Sequence, residues 1–382
     1  MRRKLIAENL KTSPPSTAEL GQTELRRFAR HLCLPGIGYE GQLRLKRGSV
    51  LVLGAGGLGC PALLYLAAAG VGRLGIVDPD TVSLSNLSRQ ILFTPEDIGQ
   101  PKANIAGRQL RTLYPDLWVD VFLEHFTAAN ALSLAADYDH ILDGTDNFPA
   151  RYLSSDTGVW LKKPVIYGSI HQFEGQVSVF APHLGSPCYR CMFPVPPAPG
   201  TVPDCNTAGV LGVLSGLIGT LQAAEAIKLL TGTGEPLLGR LLHAELLGTR
   251  FREFKLRRDP ACPVCGENPT ITSPIDYERF CGLTPGESAV ELPAAELESA
   301  RRSHFLLDLR EPWEHALIPF SADLWIPWQD LPSRLSTLPV SRPILTLCRV
   351  GLRSREAARL LRQNGHPDAV SLTGGLEAPE LS

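Results

Sequence analysis

Gly54-Ala55-Gly56-Gly57-Leu58-Gly59 stands between an apolar run, Val50 to Leu53, and a helical segment, Pro61 to Ala69, with a second apolar run at Leu74 to Val77. Strand, glycine turn, helix and strand in that order make a βαβ unit. The glycines let the chain turn tightly, and they let a phosphate approach the unpaired N–H groups at the helix start. This part of the chain is therefore α/β, built on a parallel sheet. Asp78, at the end of the second strand, is placed to accept from ribose hydroxyls. Alone, such a turn serves NAD, FAD and ATP alike, and a dehydrogenase is the default reading.

Apolar runs at Trp118 to Leu123, His140 to Leu142 and Val165 to Tyr167 alternate with helical stretches and extend the sheet. After Gln176 to Phe180 come a proline-rich loop, Phe193 to Pro203, an apolar helix around Val210 to Leu221, and strands near Leu238 to Ala244 and Thr249 to Lys255 that close an antiparallel edge. Pro269, Pro274 and Pro285 with Gly282 and Gly286 place a linker at 268–288. A second α/β unit follows, with strands at Phe305 to Leu307 and Ile344 to Leu347 and a helix from Ser354. A length of 382 residues suits one large and one small domain. The expected division is an arm at 1–20, a large domain at 21–267, the linker, and a small domain at 289–382. Glu24 to Leu34 reads as a short arginine-rich helix.

Lys and Arg number 37 against 39 Asp and Glu, a net charge of -2, so the chain as a whole offers no footprint for nucleic acid or an anionic membrane. Met1 to Lys4 is basic, but Glu8, Asn9 and Lys11 interrupt the apolar stretch a leader needs. The run at Val210 to Leu221 is too short to span a bilayer. A cytoplasmic protein without nucleic-acid or membrane partners is expected. Among its nine cysteines, Cys188-Tyr189-Arg190-Cys191 and Cys262-Pro263-Val264-Cys265 have the spacing of a closed four-cysteine Zn²⁺ site, which would be structural. Redox or free thiols are the alternative.

Asn86, Arg89, Lys102, Asp143 and Asp146 suit a nucleoside triphosphate better than a hydride carrier. Cations offset charge on an α-phosphate and on departing pyrophosphate, and an aspartate at a strand end suits Mg²⁺. The plainer alternative makes Arg89 and Lys102 solvated charges and Asn147 a helix cap. Taken together, Gly54 to Cys60, Asp78-Pro79-Asp80-Thr81-Val82-Ser83-Leu84-Ser85-Asn86-Leu87-Ser88-Arg89-Gln90, Gly99-Gln100-Pro101-Lys102 and Asp143-Gly144-Thr145-Asp146-Asn147 resemble the ThiF/MoeB family, bacterial relatives of ubiquitin-activating enzymes. The resemblance runs from about Glu24 to Gly266. It implies a Rossmann-like adenylation domain with a mixed sheet and zinc on the four cysteines. It also implies ATP held by the turn glycines Gly54, Gly56, Gly57 and Gly59, by Asp78, Ser85, Asn86, Leu87, Ser88, Arg89 and Lys102, and by Asn147, with Mg²⁺ on Asp146. The family is typically homodimeric, and Arg30, beside Arg27, matches an arginine that reaches into the partner subunit's ATP site. Ser88 departs from the family's usual glutamine.

Cys348-Arg349-Val350-Gly351-Leu352-Arg353 lies between an apolar strand and a helix start, where backbone N–H groups converge on the sulfur. That layout, with Arg349 and Arg353 adjacent, favours a thiolate or persulfide anion. A phosphatase loop would need arginine at position 354, which is Ser354. The shorter loop, Asp308-Leu309-Arg310-Glu311-Pro312 before it and Gly374-Gly375-Leu376 after it resemble rhodaneses. Leu317-Ile318-Pro319-Phe320-Ser321 departs from their usual His-Ile-Pro-Gly-Ala, and Glu377 to Ser382 lacks their usual Ala-Trp. Cys205, at the end of the proline-rich loop, matches a family position that can act covalently, and a bystander role stays open. Cys33, Cys60 and Cys281 read as structural or incidental. His171 and Glu174 flank a hairpin and shape an acceptor groove.

The expected chemistry is adenylation of a C-terminal carboxylate, attack on the acyl-adenylate by a Cys348 persulfide, and release of a thiocarboxylate by a second thiol such as Cys205. The resemblance implies a small ubiquitin-like sulfur carrier ending in Gly-Gly, serving molybdopterin, thiamine, cysteine or thiolated-tRNA synthesis. A cysteine desulfurase or thiosulfate would supply the sulfur. The alternatives are a rhodanese module that only docks a donor, and an NAD-dependent oxidoreductase.

Overall fold

The strand that precedes the glycine turn, β1 (Ser49–Leu53), is buried along its whole length. It pairs in parallel with β2 (Arg73–Val77) and β4 (His140–Asp143). β3 (Trp118–Phe122) extends the parallel array beyond β2, and β5 (Val165–His171) extends it beyond β4. β6 (Glu174–Phe180), β7 (Arg240–Glu245) and β8 (Arg250–Lys255) add an antiparallel edge, giving the order β3-β2-β1-β4-β5-β6-β7-β8. Alternation sorts β1 onto two cores. Val50 and Val52 join one built on the helices Gly59–Ala69 and Gly212–Thr231, and Leu51 and Leu53 join another with Tyr152, Tyr167 and Tyr189.

This computed structural model describes residues 19–197, 209–282, 291–339 and 341–381. The chain divides into two units after Cys281. In the first, the apolar helix runs on to Thr231, past the expected limit. It is long and apolar enough to cross a membrane by composition, yet Leu214, Ile218, Ala223 and Ala226 are buried in the core. Glu225 is tolerated there because its carboxylate accepts from Leu237 N at 2.7 Å and pairs with Lys228. The arginine-rich segment breaks at Phe28 into two short helices, Gln22–Arg27 and Ala29–Leu32. Within 268–288, the stretch read as a linker, the short helix Tyr277–Phe280 buries Tyr277.

The second unit is a five-stranded parallel sheet, β9 (Glu291–Leu292), β10 (Phe305–Asp308), β11 (Leu324–Trp325), β12 (Ile344–Leu347) and β13 (Val370–Leu372), in the order β11-β10-β12-β13-β9. β9, β11 and β13 are too short to show a period in sequence, and their pairing alone defines them. The helix Leu352–Gln363 begins within the sulfur loop and buries Ala357, Ala358 and Leu361.

Candidate active sites and metal centre

The strand order reverses between β1 and β4, which opens a crevice beyond their C-terminal ends, where nucleotides bind in such sheets. The glycine turn enters it from β1, and Gly144 follows β4, its N–H bonded to Leu53 O at 2.9 Å. Gly54 has a left-handed φ of 88°. A Cβ on Gly59 would lie 1.9 Å from Gly54 O, so the turn closes only with glycine there. Asp78 braces it: Oδ2 accepts from Ala55 N at 2.7 Å and Oδ1 from Asp80 N at 2.9 Å. Burial pushes the Asp78 carboxyl up, against the opposing charge of Lys102.

Lys102 opens the helix Lys102–Leu113 with its side chain nearly covered, and Nζ lies 2.8 Å from Oδ2 of the exposed Asp80. The 3₁₀ turn Leu84–Ser88 is closed by Ser83 N donating to Asn86 Oδ1 at 3.1 Å. Ser88 Oγ and Arg89 Nη1 both donate to Ser85 O, at 3.0 and 3.3 Å. Leu87 packs on the core. Arg89 runs beside the turn, its Cδ 3.5 Å from where a Cβ on Gly57 would stand. The structure adds two residues that sequence reading passed over. Ser215 abuts Gly57, and Gln90 is buried with Nε2 3.9 Å from the position of a Gly56 Cβ and with Oε1 unpartnered among the described residues. Gln90 closes the Asp78-to-Gln90 motif, in which it carried no assigned role.

The two aspartates after β4 differ. Asp143 is buried and turned inward: Oδ1 accepts from Thr145 N at 3.0 Å and Oγ1 at 2.6 Å, and Oδ2 accepts from Ser154 Oγ. Burial raises its pKa, and these hydrogen bonds oppose the shift. Asp146 and Asn147 are exposed. Asn147 Oδ1 caps the helix Phe148–Leu161 through Ala150 N at 3.0 Å, as the plainer reading had it. Arg27 packs its guanidinium over Tyr114, 5.8 Å from the ring centroid, whereas Arg30 is exposed.

Cys188, Cys191, Cys262 and Cys265 converge with all four Sγ atoms within 4.8 Å of one another. Sγ–Sγ distances of 3.5 Å (Cys188 to Cys262), 3.4 Å (Cys191 to Cys265) and 3.8 Å (Cys188 to Cys191) are near the roughly 3.8 Å that four Zn–S bonds of about 2.3 Å set in a tetrahedron. The donor set fits a zinc ion that leaves no open position for substrate.

Cys348 is fully buried. Its Sγ accepts from Gly351 N at 3.1 Å and Ser354 N at 3.4 Å, and contacts Ser354 Oγ at 3.3 Å. The loop closes because Gly351, Gly374 and Gly375 take left-handed φ values, and a Cβ on Gly375 would stand 2.5 Å from Cys348 O. The loop arginines point to another partner. Arg349 Nε, at 3.2 Å, and Arg353 Nη2 both donate to Glu314 Oε1, and Arg349 Nη1 also reaches Glu377 at 3.0 Å. Burial works against ionisation of Glu314, but the Arg353 hydrogen bond, the Glu311 N–H and the two guanidinium charges prevail and hold its carboxyl below the usual range. Arg310 and Asp308 form a fully buried pair, 2.7 Å apart.

Cys205 lies outside the described residues. The segment that follows it is gripped by the β5–β6 hairpin: Gln172 N donates to Gly209 O at 3.2 Å and Leu211 N to Gln172 O at 3.0 Å. His171 pairs with Glu174 across that hairpin. Cys60 is buried and donates to Ala55 O at 3.2 Å, and burial pushes its thiol up to about 12. Burial likewise pushes Cys281 up to about 11. Cys33 is exposed.

Compared with known proteins, residues 28–264 match the ThiF family and residues 293–380 the rhodanese-like domain. A sulfur carrier protein adenylyltransferase of Thermus thermophilus is 53% identical over 68% of this chain and 97% of its own length. A probable adenylyltransferase/sulfurtransferase, MoeZ, of Mycobacterium tuberculosis is 41% identical, covering 97% of both chains. The crystal structure of Escherichia coli MccB with MccA-N7isoAsn superposes with a TM-score of 0.57 at 22% identity, over 65% of this chain and 76% of that one, a likeness of fold.

Proposed function

Because this chain belongs to the ThiF family and joins a rhodanese-like domain to it, we propose that it adenylates the C-terminal Gly-Gly carboxylate of a ubiquitin-like sulfur carrier and converts it to a thiocarboxylate. The carrier's carboxylate oxygen attacks the α-phosphorus of ATP, and pyrophosphate leaves. Lys102 and Arg89, beside the glycine turn, would offset the charge that builds there. Exposed Asp146 would hold Mg²⁺, which neutralises phosphate charge when bound. The observation that carries this reading is the crevice itself, where the turn, Asp78, Lys102 and Arg89 meet at the reversal of strand order. Arg30, exposed at the N-terminal helices, would complete the ATP site of a second subunit in a homodimer. Zinc on the four cysteines would be structural.

A Cys348 persulfide would then attack the acyl carbon and expel AMP, leaving an acyl disulfide. A second thiolate, for which Cys205 is the candidate, would attack Cys348 Sγ, release the thiocarboxylate and leave a disulfide for a cellular thiol to reduce. The N–H groups of Gly351 and Ser354 aimed at Sγ support this role. ATP:pyrophosphate exchange tests the first half: a Gly-Gly carrier should stimulate it, Asp146→Ala should abolish it, and no stimulation by any carrier would refute adenylation. Sulfur transfer to cyanide tests the second: loss in Cys348→Ala is expected, and retention would leave the domain a docking module. The fold and charge suit a cytoplasmic enzyme.

A further inference from the structure

The sulfur loop is rich in cations yet offers none of them to an anion. Among the described residues, Cys348 Sγ accepts from Gly351 N and Ser354 N, donates to Ser354 Oγ, and is bonded by no guanidinium. Arg310 is taken up by Asp308, Arg353 by Glu314, and Arg349 by Glu314 and Glu377. These three arginines and three carboxylates cancel. Glu314 is the hinge of the arrangement, because one buried oxygen receives both loop arginines while the other accepts from Glu311 N at 2.8 Å. Exposed Trp313 stands beside the loop, with the Arg349 guanidinium 5.7 Å from its centroid.

Resting on the reading that Cys348 carries the sulfur, we propose that Glu314 is a specificity-determining residue. By neutralising Arg349 and Arg353 it sets the loop to take sulfur from a thiol persulfide in preference to a free dianion such as thiosulfate. Both donors load the same atom. The Cys348 thiolate attacks the outer sulfane sulfur, the donor S–S bond breaks, and the electron pair leaves with a thiolate or with sulfite. Thiosulfate brings two negative charges to the site and needs an uncompensated cation to hold them, whereas a thiol persulfide with an uncharged body brings at most the one on its terminal sulfur. Glu314 touches neither reactant; it acts through the two arginines.

The test uses the full-length protein and sulfur transfer to cyanide from two donors, thiosulfate and the persulfide of 2-mercaptoethanol. The wild type should favour the persulfide in kcat/KM. In Glu314→Gln the ratio of kcat/KM for thiosulfate to that for the persulfide should rise on the order of tenfold, mostly through a lower thiosulfate KM that climbs back with added salt. A merely structural role would lower activity with both donors and leave the ratio where it was. Glu377→Gln removes a carboxylate that is 38% exposed and pairs with Arg349, so it keeps the question answerable if Glu314→Gln fails to fold. It should move the ratio the same way by a smaller factor. A wild type that prefers thiosulfate, or a ratio unmoved in the folded variants, would overturn the proposal. Absence of Cys348-dependent transfer from either donor would overturn the sulfur-carrying role and this inference together.

Discussion

Arg190 and Asp156 form an ion pair inside the larger unit, Nη2 to Oδ2 at 2.9 Å with side chains 1% and 0% exposed, although Arg190 stands between two of the metal-site cysteines. Arg190 Nε adds bonds of 3.0 and 3.1 Å to the same carboxylate, and Tyr277 OH donates to it at 2.8 Å. The guanidinium lies 4.3 Å from the Phe280 centroid and 4.9 Å from that of Tyr152. One carboxylate thus ties the first Cys-x-x-Cys turn, the helix Phe148–Leu161 and the segment Tyr277–Phe280 together.

Removing one partner of such a pair strands the other charge in the core. Asp156→Ala should destabilise the larger unit by about 3–5 kcal/mol, and Tyr277→Phe by about 1 kcal/mol. Urea unfolding of both variants checks this; a loss under about 1 kcal/mol for Asp156→Ala would show the pair to be dispensable.

The four-thiol cluster predicts a bound zinc that survives purification. Elemental analysis should find it in the wild type and not in Cys262→Ser. Chelation should lower the melting temperature of the larger unit while leaving Cys348-dependent sulfur transfer to cyanide in place, since the four cysteines lie in the other unit.

Lys102 is nearly buried yet ends at exposed Asp80, so its charge is held at the crevice more than it is used in packing. Lys102→Met should reduce carrier-stimulated ATP:pyrophosphate exchange by about 10²–10³-fold with little change in melting temperature. Exchange at wild-type rate would remove Lys102 from the reaction.

His140, on β4, is buried, and burial lowers its pKa to about 4 against the opposing influence of Asp139. Unfolding frees the ring to take up a proton at its ordinary value near 6.5. The folded protein should therefore lose stability as pH falls below about 6.5, with the loss levelling off near the folded value, up to about 3 kcal/mol in all. His140→Phe should flatten stability against pH across that window, and an unchanged slope would place the linkage elsewhere.

The glycine turn, the paired cysteines and the Cys348 loop were legible as candidates because each chemical demand is met within a few consecutive residues. A phosphate-admitting turn needs glycine at Gly54 and Gly59, a closed thiolate site needs paired cysteines, and an anion-holding loop needs Cys348 just ahead of a helix start. The partners of the arginines were not legible, for the converse reason. Arg349 and Arg353 read as helpers of the sulfur because they adjoin it, but their partner Glu314 sits on a different segment. Asn147 could be a ligand or a cap from sequence, and the cap is the bond the fold makes. β9, β11 and β13 went unseen because two or three residues carry no period.

The glycine turn ahead of its helix by itself determined an α/β fold with a nucleotide crevice, since backbone sterics and helix-end polarity act locally. Which charges stay available at Cys348, and which residue is buried against Arg190, only the tertiary structure decided. A carboxylate such as Glu314 or Asp156 looks solvated in sequence, and its partner is chosen by packing across segments far apart in the chain.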